Sequence, residues 1–260
     1  MRDANRATIV LFTDFGLSGP YTGQVQAVLQ RMAPGVPALS LFADAPAGQP
    51  RPASYLLAAY AAWFPAGSVF LCVVDPGVGG PRLPLVVEAD GRRYVGPDNG
   101  LFEAVLRRAA AAAAWSVTWR PAGLSASFHG RDLFAPVAAR LAIGETPAAM
   151  GEPVTAERHR EWPDDLAEIV YVDHYGNAMT GLRGEVVPAT ARLAVGRRLL
   201  AHADTFSAVP PGTPFWYVNA NGLVEIAVNR GAAAAALSLT IGSAVAVRAA
   251  AAPRRRRPEP

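Results

Sequence analysis

The 260-residue chain contains no lysine; all 24 of its basic residues are arginine. That absence excludes a Schiff-base lysine and the lysine of a nucleotide-binding P-loop. Cysteine is nearly as scarce. Cys72 stands alone, which rules out an internal disulfide and a cysteine-based metal cluster. Long apolar runs are missing too, none approaching the roughly 18 to 20 residues that a bilayer crossing needs. The opening MRDANRATIV lacks the extended apolar core of a secretory leader, so a cytoplasmic protein without membrane contact is expected.

What is present is core-forming material. The chain is 51% hydrophobic and 17% charged, the balance of a folded protein rather than a disordered one. Its net charge of +3 at pH 7 is concentrated in Arg254-Arg255-Arg256-Arg257. Without those four the body is close to neutral, so no nucleic-acid partner is expected, and residues 249–260 read as a disordered, solvated tail.

Strand-like and helix-like stretches alternate through the first half. Residues 7–12 and 37–42 read as strands, 21–32 and 54–64 as helices, and 68–74 as a third strand. Residues 85–88 and 93–95 read as a hairpin around Asp90-Gly91, followed by helices over 101–113 and 131–143. The order predicts an α/β domain over residues 1–150, a central, mostly parallel sheet flanked by helices. A polar, proline-bearing connector is expected over 151–165. Beyond it, short strands at 169–172, 190–195, 215–218, 224–228, 237–241 and 244–247 predict a smaller, antiparallel β-barrel-like domain over 166–248.

Ligands of open α/β sheets bind beyond the carboxyl ends of the strands. Asp14 follows the first strand and Asp75 the third, each close to glycine. Asp75 opens the loop DPGVGGPR, which is neither a P-loop nor a GxGxxG dinucleotide fingerprint. The tripeptide Asp14-Phe15-Gly16 lies too early in the chain for the kinase metal-binding motif it echoes. What remains is a loop offering a carboxylate and a guanidinium, Arg82, together. His129, ahead of a helix bearing Pro136, is a candidate base, although spacing alone does not bring the three into contact.

These motifs, in order IVLFTDFG, FPAGSVFLCVVDPGVGG with Arg82, YVGPDNGLF, FHGRDLFAPVAA, YVDHYGNAMT and NGLVEIAVN, resemble the S-adenosyl-L-methionine hydroxide adenosyltransferases, relatives of the fluorinase and chlorinase. The resemblance runs from about residue 8 to 247. It implies hydrolysis of S-adenosyl-L-methionine to adenosine and L-methionine by attack of water or hydroxide at ribose C5′. It also implies a homotrimer with its sites between the N-terminal domain of one subunit and the C-terminal domain of the next. Asp75, Arg82 and His129 match the family's catalytic set. Asp14 matches the carboxylate that holds the ribose hydroxyls, and Asp173 and Asn177 match positions contacting the methionine and adenine portions. A sulfonium carries its own leaving group, so no metal or organic cofactor is implied.

The chain departs from the family pattern in three places. Gly19 stands where an acidic residue usually precedes the first helix, and Phe42-Ala43-Asp44-Ala45-Pro46 lacks the family histidine. The C-terminal Asn-Ser-Ser/Arg-Gly loop is Asn219-Ala220-Asn221-Gly222, so methionine binding is expected to rest on Asn221, Asp173 and backbone groups. Phe215 is a candidate adenine platform, with core packing as the competing reading, and the same choice applies to Trp216. Two other functions stay open on the residues: a nucleoside-binding or S-adenosylmethionine-binding protein without turnover, and a halogenase.

Overall fold

A computed structural model describes residues 7–249, which form two compact units meeting between Asp164 and Asp165. The expected tail over 249–260 lies outside the described residues except for Ala249. Among the described residues, no helix is long and apolar enough to cross a membrane.

The first unit is built on a seven-stranded sheet. Its strands are β1 (Ile9–Thr13), β2 (Ala38–Phe42), β3 (Val69–Val73), β4 (Pro84–Ala89), β5 (Arg92–Pro97), β6 (Ala112–Val117) and β7 (Gly151–Val154). Their spatial order is β2-β1-β3-β5-β4-β6-β7. The pairs β1–β2, β1–β3 and β3–β5 are parallel, whereas β4–β5, β4–β6 and β6–β7 are antiparallel. The sheet is therefore mixed, not mostly parallel. The tight β4–β5 turn reverses the chain, and the strands added after it extend the sheet in antiparallel register.

Side-chain alternation sorts the strand residues onto two faces. Ile9, Leu11, Val69 and Leu71 share a core with Val25 and Leu29 of α1 (Tyr21–Met32) and with Val137 and Leu141 of α4 (Ala135–Ala142). Their neighbours Phe12 and Phe70 belong to an aromatic series in which Phe12 meets Phe42, Phe42 meets Tyr60 of α2 (Pro50–Ala61), and Phe70 stacks on Tyr94. Fully burying such side chains contributes roughly 1.5–3 kcal/mol each, which holds the strand ends in register.

Two first-half readings change. The helix α3 spans only Glu103–Arg108, and the alanine-rich segment beyond it is β6. Residues 151–154, read as the start of the connector, are β7, paired with β6.

The second unit contains β8 (Leu166–Val172), β9 (Ala178–Arg183), β10 (Arg192–Val195), β11 (Arg198–His202), β12 (Pro214–Val218), β13 (Leu223–Val228), α5 (Ala233–Leu237) and β14 (Val245–Arg248). Their order is β14-β10-β11-β12-β13-β9-β8. A bridge between Glu168 and Ala244 brings the two ends of the sheet together, so it is nearly barrel-shaped. The pairing is antiparallel except between β11 and β12. Residues 237–241, read as a strand, instead end α5 and turn into the approach to β14.

Candidate active site

Parallel register between β1 and β3 sets Thr13 opposite Val73, so both strands deliver an acidic residue at the same edge. The Asp14 N–H donates to the Val73 carbonyl at 3.2 Å. Its carboxylate accepts the Gly48 N–H at 2.8 Å. Burial pushes the Asp14 carboxyl above its ordinary value; hydrogen bonds from the backbone act against that rise, and the charge of Asp75 adds to it.

Asp75 and Arg82 close their loop by a forked contact. Arg82 Nε lies 3.1 Å from each carboxylate oxygen, and Arg82 Nη2 donates to Asp75 Oδ2. Both side chains are largely withdrawn from solvent, at 10% and 4% exposure for Arg82 and Asp75. The guanidinium also stands over the buried ring of Phe134, 5.4 Å from its centroid. Inside the loop, Gly79 adopts a positive φ of 78°, and a Cβ there would meet the Ala126 carbonyl at 2.6 Å. The loop thus presses on the segment that leads to His129.

His129 joins the pair through Nδ1, 3.0 Å from Arg82 Nη2. A guanidinium only donates, so Nδ1 accepts and the neutral ring carries its proton on Nε2. An incoming oxygen then meets a ring N–H; the base role read from sequence requires the Arg82 bond to break. Burial, followed by the charge of Arg82, depresses the His129 pKa below the ordinary imidazole value. The backbone after His129 forms a π-helical turn, Gly130–Phe134, before α4. Pro136 explains it: proline cannot donate to a residue four back, and its ring would strike that carbonyl in a regular helix.

The second unit has a cavity of about 680 Å³ lined by Asp173, Tyr175, Asn177, Phe206, Tyr217 and Arg230, among others. Asp173 Oδ1 accepts the N–H groups of Tyr175 and Asn177 at 2.9 and 2.8 Å, and Oδ2 accepts Asn177 Nδ2 at 3.0 Å. The sequence-expected pair Asp173 and Asn177 is thus one hydrogen-bonded turn. Neither Asn221 nor Phe215 lines this cavity. The Asn221 N–H is drawn to Asn219 Oδ1 at 2.9 Å within the β12–β13 turn. Phe215 is 1% exposed and packs behind the rings of Phe206 and Tyr217, as the core-packing alternative expects. Trp216 is wholly buried in the barrel core.

Tyr217 and Glu225 escaped the sequence reading as site residues. Tyr217 lines the cavity, and its hydroxyl donates to Glu225, whose second oxygen accepts Asn219 Nδ2 at 2.7 Å. Burial raises the Glu225 carboxyl above its ordinary value, opposed by those two bonds and reinforced by the charge of Asp173. An acidic residue within the apolar run LVEIAV was the available signal.

The first unit thus holds two carboxylates and a guanidinium–imidazole contact at its strand ends, and the second unit holds an aromatic-lined cavity. The chain belongs to the S-adenosyl-L-methionine hydroxide adenosyltransferase family. Residues 9–151 match that family's N-terminal domain and residues 167–246 its C-terminal domain. It is 40% identical to the (R)-S-adenosyl-L-methionine hydrolase of Thermus thermophilus, over 91% of this chain and 98% of the relative. With the protein of the same name from Salinispora arenicola the identity is 38%, over 92% and 97%. A crystal structure of an uncharacterized conserved protein from Thermotoga maritima superposes with a TM-score of 0.85 at 30% identity, covering 93% of this chain and all of that one.

Proposed function

We propose that this chain hydrolyses S-adenosyl-L-methionine to adenosine and L-methionine by water attack at C5′. It is an S-adenosyl-L-methionine hydrolase. The observation that carries the mechanism is the Asp75–Arg82–His129 contact at the strand ends, in a chain whose relatives are named for this reaction.

Water attacks C5′ opposite the sulfur; the C–O bond forms as the C–S bond breaks, and the bonding pair leaves with sulfur as methionine. The positive charge passes to the new oxygen, which loses a proton to Asp75 and becomes the 5′-hydroxyl. His129, through Nε2–H, and Arg82 hold the water oxygen in line. Such alignment is worth up to about 7–11 kcal/mol in favourable cases. Asp14 accepts the ribose hydroxyls. Asp173 and Asn177 meet the amino-acid and base portions, Asn221 assists at the methionine end, and Phe215 backs Tyr217. No cofactor enters, since the sulfonium supplies the leaving group.

In this reading the first unit carries the reacting set, the residues after β7 link it to the β domain over 166–248, and a cytoplasmic homotrimer completes each site with a neighbour's C-terminal domain. The relatives' names add the (R) configuration, which the residues of this chain did not specify. The test is incubation with separated (R) and (S) sulfonium epimers in ¹⁸O-water, followed by mass spectrometry. Labelled adenosine 5′-hydroxyl and released methionine, from the (R) epimer preferentially, are expected. Binding without adenosine, or product that requires added halide, would sink the reading.

A further inference from the structure

The turn that leaves β5, Asp98-Asn99-Gly100, does no work in the proposed chemistry, yet it touches both ends of the reacting loop. The topology explains why. β5 lies between β3 and β4, parallel to one and antiparallel to the other. The segment from Val74 to Leu83, which joins β3 to β4, must therefore pass over the end of β5. There Asn99 Nδ2 donates to the Val74 carbonyl at 2.9 Å, immediately before Asp75. The Asp98 N–H donates to the Leu83 carbonyl at 2.8 Å, immediately after Arg82.

The turn itself is braced. Asn99 Oδ1 accepts the Leu101 N–H at 3.3 Å, which fixes the amide's orientation. The Asp98 carboxylate accepts the Glu157 N–H at 3.2 and 3.3 Å. Val74 is fully buried, so its carbonyl has little access to water as a substitute partner.

We propose that Asn99 is a positioning residue for the Asp75–Arg82 pair, setting the height of the loop against His129 through the Val74 carbonyl. The inference rests on the hydrolase reading for its kinetic consequence, but not for its geometric one. An error of about 1 Å at a reacting group can cost a hundredfold in rate, and Arg82 Nη2, held by Asp75 Oδ2, makes its contact with His129 Nδ1 at 3.0 Å.

The test is Asn99→Asp. This change keeps Oδ1 for Leu101 and turns the Val74 donor into an acceptor facing an acceptor. Two readouts are taken: kcat and KM for S-adenosyl-L-methionine, and the NMR titration of all four histidine rings. Expected is a fall in kcat of about tenfold to a hundredfold, with KM held and the His129 titration displaced. Kinetic constants and His129 titration both matching the parent would overturn the proposal, as would a rate loss with the His129 titration unmoved. If Asn99→Asp fails to fold, Asn99→Ser takes its place; its short hydroxyl still serves Leu101 but does not span to Val74, and the same outcomes apply. A parent inert towards the substrate, in which Asn99→Asp still displaces His129, would remove the hydrolase reading and leave the positioning role standing.

Discussion

In the proposed mechanism Asp75, Arg82 and His129 share the handling of one water molecule, and each is expected to leave a different signature when changed. Replacing Asp75 by Asn or His129 by Ala is expected to lower kcat about 10²- to 10⁴-fold, the usual share of a proton-transfer or orienting group. Far-UV circular dichroism should be retained; turnover at the parental rate in either variant would remove that residue's role. The His129 ring should titrate below the ordinary imidazole value of about 6.5, since burial and then Arg82 oppose its charge. Arg82→Gln removes the second cause, so the NMR midpoint should rise; an unmoved midpoint would contradict the contact. The sign for stability follows. The folded ring binds its proton less tightly than the unfolded one, so this contribution is intact above the unfolded pKa and is lost as pH falls through the folded value.

Among the elements, β5 is where packing and site meet. A Cβ at Gly96 would stand 2.2 Å from the Cys72 carbonyl on β3 and 3.0 Å from the Phe102 ring. Gly96→Ala should therefore force β3 and β5 apart near their carboxyl ends and destabilise the unit by about 1–3 kcal/mol. A lowered urea midpoint at constant slope is the measurement, and a midpoint equal to the parent's would show that the strands yield at no cost. Sequence patterning found β1, β3 and α1 because apolar periodicity marks them. It missed β6 for a physical reason: alanine favours a helix in isolation, but residues 112–116 find an unfilled edge on β4 and pair there. The opposite error, a strand over 237–241, falls on a segment that ends α5 and turns towards β14.

For the molecule as a whole, the proposed trimer is directly measurable. Sedimentation should report three times the chain mass of 27.3 kDa, and activity per chain should fall on dilution as subunits separate. A fully active monomer would overturn the shared site. At this scale the near-neutral body also matters, because a substrate carrying its own sulfonium and carboxylate needs local pairing rather than a strong overall field.

The sequence by itself determined the family and the kinds of chemical group available. Six motifs in order, a carboxylate at each of two strand ends, one arginine seven residues after Asp75 and one histidine before a proline-bearing helix are all local patterns. Only tertiary structure decided how those groups meet. That Arg82 engages Nδ1 of His129, that Phe215 hides behind Phe206 and Tyr217, and that Asn99 reaches a carbonyl 25 residues earlier are contacts between distant segments. They arise from strand order and burial, which bring together residues whose spacing along the chain carries no period to read.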